Sequence, residues 1–186
     1  MAVVATEKED DMFSLVTNSR FFRLLSIPAL LSITTIISAC GNPFGYDDMN
    51  DEFWSNHPEM HKTAEQKMEE AKANLHTLDD VRELQKQFHY VPEPVDWKPT
   101  IDVLFARNLT DDCDGAAVLG QWSLSQIGIK SRIVDLYGNG IHAVCISDDN
   151  TIMITNNEVV MIPQNEWKEA VLTWFKPAYS SLKDVN

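Results

Sequence analysis

Clustered basic charge is the first thing this chain lacks. Fifteen Lys and Arg stand against 28 Asp and Glu, a formal charge of −13. No run of Lys and Arg supplies the phosphate contacts that nucleic acid demands, so nucleic acid is not an expected partner. Cysteine is scarce as well. Cys40, Cys113 and Cys145 are odd in number and far apart, which excludes the disulfide framework of a small secreted domain and leaves each to be explained by itself. Also missing is the run of roughly 20 apolar residues that spans a bilayer; the longest here, Leu24 to Ala39, is shorter. What is present, 186 residues with 44% apolar composition, suits one domain of ordinary size plus a tail.

The apolar run follows Arg20 and Arg23 and ends Ile36-Ile37-Ser38-Ala39-Cys40-Gly41. A positive flank, a short apolar middle and small residues before a cut describe an export signal. The acidic opening Glu7-Lys8-Glu9-Asp10-Asp11 is unusual ahead of a signal and points to Met12 as the start. An uncleaved anchor helix or a buried core helix is the competing reading of the run. Residues 41–58, with Asp47, Asp48, Asp51 and Glu52, read as an acidic tether, in which Phe53 and Trp54 are expected to dock on the domain.

The domain proper is expected over 59–180. His57 and His61 are spaced as on one helix face, but Pro58 lies between them, so a helix start with Pro near its first position is preferred to a zinc site. A helix is expected from Lys62 to His76. Thr77 caps a second, striped by Leu78, Val81, Leu84 and Phe88. Three prolines make Tyr90 to Pro99 an extended loop, and a short helix follows over Ile101 to Arg107. Another helix runs from Cys113 to Ile127 and ends at Gly128. Its small residues Gly115, Ala116, Ala117 and Gly120 imply that another backbone comes close. Four β-rich runs then alternate with Gly138-Asn139-Gly140, Asp148-Asp149-Asn150 and Asn156-Asn157, which predicts an antiparallel meander. Pro163 to Phe175 returns to helix, and the chain beyond Pro177, residues 181–186 above all, is expected to be a loose tail.

The chemistry concentrates at Asp111-Asp112-Cys113-Asp114-Gly115. A cysteine at a helix start meets unpaired N–H groups and the positive end of the helix dipole, both of which favour a thiolate. Cys113 is therefore a candidate nucleophile. His142 follows on a short apolar strand, and the next strand ends at Thr155-Asn156-Asn157, the order that a Cys/His/Asn site requires. Strand alternation puts His142 and Val144 on one face, Ala143 and Cys145 on the other. Cys145 should then point away from the catalytic side, as a small buried residue; a Cys113–Cys145 disulfide is the rival reading.

Asp-Cys-Asp-Gly-Ala at a helix start, the Gly128-Ile129 pair that closes the helix, the strand with His142-Ala143-Val144 and the upstream Phe88-His89-Tyr90 and Trp97 together resemble the bacterial transglutaminase-like cysteine peptidases of the papain-like superfamily. The resemblance covers about Leu78 to Ile162. It implies an α+β fold in which N-terminal helices and the cysteine-bearing helix pack on a small antiparallel sheet, with a C-terminal helix. It implies Cys113 as nucleophile, His142 as general base and Asn156, where the family usually has Asp, as the residue orienting the ring, with Asn157 as the alternative. The Cys113 N–H, or less simply Trp97, would stabilise the oxyanion. The substrate class implied is a protein or peptide, cut or transferred at an amide bond. A catalytically inactive module that binds or assembles partners is the alternative, and a domain in which Cys113 and His142 are both core residues is the third. The end of the signal segment, residues 1–40, likewise resembles a bacterial lipobox, which implies cleavage before Cys40 and lipidation of that cysteine as the first residue of the mature chain. Because Gly41 and Asn42 lack a retaining aspartate, that resemblance implies the periplasmic face of an outer membrane. Acyl chains contribute about 0.8 kcal/mol per buried CH₂, so several would hold the domain at a bilayer.

Asp111, Asp112 and Asp114 oppose ionisation of the neighbouring thiol. Either one caps the helix while the others face water, or they bind Ca²⁺, whose positive charge would offset theirs. No other cofactor is implied.

Overall fold

The change from helical to strand periodicity near Gly128 divides the molecule into its two halves. The computed structural model describes residues 46–94 and 97–185; Met12, the apolar run and Cys40 lie outside the described residues. Helices α1 (Tyr46–Asn56), α2 (His61–Ala73), α3 (Leu78–Gln85), α4 (Ile101–Ala106) and α5 (Cys113–Gln126) come first, with the two-residue strands β1 (His89–Tyr90) and β2 (Thr110–Asp111) among them. Strands β3 (Ser131–Gly138), β4 (Ile141–Ser147), β5 (Ile152–Thr155) and β6 (Glu158–Met161) follow, then α6 (Trp167–Trp174) and β7 (Tyr179–Asp184). The described chain is thus mixed α+β, with six α-helices and a five-stranded antiparallel sheet ordered β6-β5-β4-β3-β7. No helix among the described residues is long and apolar enough to cross a membrane.

Local signals act where the sequence places them. Thr77 accepts from the Asp80 N–H while the Asp80 carboxylate accepts from the Thr77 N–H, a reciprocal capping box that starts α3. Gly128, at φ +79°, ends α5. The hairpin from β5 to β6 turns at Asn156, whose φ of +44° asparagine tolerates better than most residues.

The sheet is buried on both faces. Ile133, Ala143, Cys145, Ile152 and Ile154 pack with α5 and the helices before it, while Val134, Leu136, Val144, Ile146 and Met153 pack with Val171 of α6. Removing Val, Leu and Ile side chains of this size from water stabilises the fold by about 1.5–3 kcal/mol each.

Two expectations need correction. Much of the acidic stretch 41–58 is the helix α1, fastened by Asn50, whose Oδ1 accepts from the Thr100 N–H at 2.9 Å and whose Nδ2 donates to the Lys98 carbonyl at 3.3 Å. A partner about fifty positions away leaves no local mark. Phe53 and Trp54 pack against the core as expected. The chain after Pro177 is not loose, for β7 pairs antiparallel with β3, Leu136 opposite Leu182 and Gly138 opposite Tyr179. Its side chains are mostly exposed and polar, so apolar patterning could not announce it. Gly138 makes the docking feasible: a Cβ there would sit 2.0 Å from the Ala178 carbonyl oxygen.

Candidate functional site

Cys113 is the first residue of α5, directly after Asp112, whose carboxylate accepts from the Asp114 N–H at 3.0 Å and caps the helix. The close approaches expected from the small residues are present. A Cβ on Gly120 would lie 3.0 Å from Ile154 Cγ2 and 3.2 Å from Cys145 Cβ, so α5 rests directly on the sheet. A Cβ on Gly115 would lie 2.4 Å from Asp111 Cβ. The first turn of α5 therefore closes over the Asp111 side chain.

Asp111 is fully buried and paired with Arg107, whose guanidinium also reaches Glu93. One cation serves a buried and a partly buried carboxylate. Burial first, then the nearby Glu93 charge, push the Asp111 carboxyl up to about 7, with Arg107 acting the other way. The three acids around Cys113 hence do different work: Asp111 joins a buried ion network, Asp112 caps the helix and Asp114 lies half-buried in its first turn. Among the described residues no group of three or more His, Cys, Asp or Glu side chains could hold a metal ion. Trp97 donates its indole N–H to Glu93, so that hydrogen is not offered to a substrate oxyanion.

His142 is the second residue of β4 and 8% exposed. Its Nε2 lies 2.9 Å from Thr155 Oγ1. The ring meets Phe175 edge-on, with centroids 4.9 Å apart, and Tyr179 at 5.7 Å. Burial pushes the imidazole down to about 4, so it is neutral at pH 7. The alternation expected along β4 holds, but the assignment of its faces is reversed. Helix α5 covers the face of Ala143 and Cys145, and His142 stands on the α6 face, beside Val144 and Ile146 in alternation. Any approach of the Cys113 sulfur to the ring is accordingly around the end of the sheet, past Tyr179, rather than across its face. Cys113 and Cys145 form no disulfide. Cys145 is fully buried, and burial pushes its thiol up to about 12.

Several contacts gather the pieces at that end. Gln85, fully buried on α3, donates through Nε2 to the Ala116 carbonyl in the first turn of α5 at 3.2 Å and to the Asn156 carbonyl in the β5–β6 turn. Tyr179 touches the His142 ring, and its hydroxyl is raised by burial and then by Cys113 nearby. Tyr90 is raised by burial and then by Cys113, Asp112 and Tyr179. Two tyrosines therefore lie within electrostatic reach of the sulfur. Asn156 is half-buried, and its Oδ1 is buried without a hydrogen-bond partner; Asn157 is exposed.

Sequence reasoning did not find Gln85, Thr155, Phe175 or Tyr179. Only a glutamine inside the apolar stripe of α3 gave a signal, since a buried carboxamide must find hydrogen bonds. Comparison with family models, with curated proteins and with solved structures returns no match, so the likeness to transglutaminase-like peptidases stands on the motif residues.

Proposed function

We propose that this chain is a thiol hydrolase or acyl-transfer enzyme acting on peptide or amide bonds, with a papain- or transglutaminase-like arrangement of its helices and sheet. The observation that carries the reading is Tyr179, which contacts the His142 ring and whose hydroxyl is pushed up first by burial and then by the neighbouring Cys113 at the start of α5. In the reaction, neutral His142 accepts the Cys113 proton through its Nδ1 while the sulfur attacks the carbonyl carbon. The electron pair of the C=O bond moves to oxygen, beside the N–H groups that open α5. Collapse breaks the C–N bond, and the imidazolium returns its proton to the departing amine. Water, or a second amine in acyl transfer, then attacks the thioester; His142 takes its proton and hands it to the released sulfur.

Alkylation of Cys113 by iodoacetamide at pH 7, read by peptide mapping, tests the reading. Labelling faster than that of a free cysteine and slowed in His142→Ala supports the enzyme. Equal rates in both chains reject it and favour a binding or assembly module, which the burial of His142 among Thr155, Phe175 and Tyr179 would also suit. We further propose that Cys40 carries the lipid and that the domain faces the periplasm from an outer membrane. Palmitate incorporation lost in Cys40→Ser is the expected result; incorporation unaffected by that change would exclude this anchor.

A further inference from the structure

Resting on the catalytic reading, we infer that Thr155, and not Asn156, is the positioning residue that sets which nitrogen of His142 receives the thiol proton. The geometry is specific. Thr155 closes β5, is 5% exposed and places Oγ1 2.9 Å from His142 Nε2. The other observed ring neighbours, Phe175 and Tyr179, are aromatic faces and edges that hold the imidazole plane without fixing its protons. Asn156 is the next residue along but lies beyond the end of β5, in the turn to β6 at φ +44°, and no contact of its side chain with the His142 ring is observed among the described residues. Its carboxamide oxygen bonds to nothing, and its backbone carbonyl is held by Gln85.

A hydroxyl accepting from Nε2–H leaves the lone pair on Nδ1, the nitrogen that must face the sulfur for proton transfer. The same hydroxyl can accept from the ring whether it is neutral or charged, so the bond persists when His142 takes the proton. A carboxylate would serve the same purpose but would bring a charge into a pocket lined by Phe175 and Tyr179, where an unpaired ion is costly. A hydroxyl one position earlier thus does the orienting without a third ionisable group.

The test compares the intact chain with Thr155→Val, Thr155→Ser and Asn156→Ala. Two readouts are taken: the ¹⁵N shifts of the His142 ring, which report its tautomer, and the pH profile of Cys113 alkylation by iodoacetamide. Cys145, buried and resistant to ionisation, stays silent in the second. The intact chain should show the Nε2–H form. Thr155→Val should mix the tautomers and slow alkylation by about 10- to 100-fold, the range found when a metal-bound histidine loses the hydrogen-bond partner that orients its ring. Thr155→Ser restores both, and Asn156→Ala leaves both as they were. An unchanged tautomer in Thr155→Val, or a loss reproduced by Asn156→Ala, overturns the assignment. The tautomer is read independently of catalysis. If His142→Ala leaves alkylation unaltered, the catalytic reading fails while the shifts still decide whether Thr155 fixes the ring.

Discussion

Acid should destabilise this fold through one buried ring, by an amount that the structure sets. His142 falls from 6.5 to about 4 because its charged form is desolvated, and at 8% exposure solvent screening does little to soften the effect. Between those two values the unfolded chain binds a proton that the folded chain refuses. Stability from this group is thus intact above about pH 6.5, declines as pH falls, and is fully lost below about pH 4. The difference corresponds to roughly 3 kcal/mol. Asp111 acts with the opposite sign: its carboxyl is raised from 3.8 to about 7, so its contribution is present at low pH and fades as pH rises toward 7. The whole-chain profile sums the two, and a difference measurement separates them. Urea unfolding of the intact chain and of His142→Gln, at pH 7.5 and again at pH 4, should show the variant gaining on the parent by about 3 kcal/mol toward acid. A gap between the two chains that does not vary with pH would refute the argument, as would an NMR titration of His142 with a midpoint near 6.5.

Other perturbations follow from single contacts. Gly138→Val should drive a side chain into the Ala178 carbonyl, costing about 1–3 kcal/mol as overpacking does, and limited proteolysis should then cut within 176–185 before the rest of the domain. Gln85→Leu removes the donor shared by Ala116 and Asn156, with an expected loss of about 1–3 kcal/mol in chemical denaturation and faster amide exchange at Asn156 and Asn157. Arg107→Met leaves Glu93 and Asp111 without their common cation, which should cost about 3–5 kcal/mol and more at pH 8 than at pH 5, where Asp111 is protonated. Thr77→Ala should lower stability by about 1 kcal/mol through the lost α3 cap, and the same measurement on Asp80→Ala should show that the two losses do not add.

Elements dictated within a few residues were legible in advance. The stripe Val81-Leu84 behind the Thr77 cap, the cysteine helix from its acidic cap to Gly128, and the meander with its Asn and Gly turns all depend on local periodicity and backbone preference. Of the candidate site, the position of Cys113 at a helix start and of His142 on a strand beyond it was readable for the same reason. Thr155 was passed over because a threonine closing a strand is ordinary; only the diagonal across β4 and β5 gives it a partner. The polar strand β7 was invisible because its partner lies 41 to 50 positions away and its own side chains carry little hydrophobic alternation.

The sequence by itself determined helices α2 to α6 and strands β3 to β6, and in what order a thiol, an imidazole and a carboxamide come along the chain, because periods of 3.6 and 2 and the preferences of capping and turn residues act over a handful of bonds. Tertiary structure alone decided which face of β4 the cysteine helix covers, that Arg107 would hold Asp111 and Glu93 together, and that Phe175, Tyr179 and Thr155 would enclose the histidine. Alternation separates two faces without naming them. Only the packing of α5 on one side and α6 on the other, driven by burial of apolar surface from segments distant in sequence, breaks that symmetry.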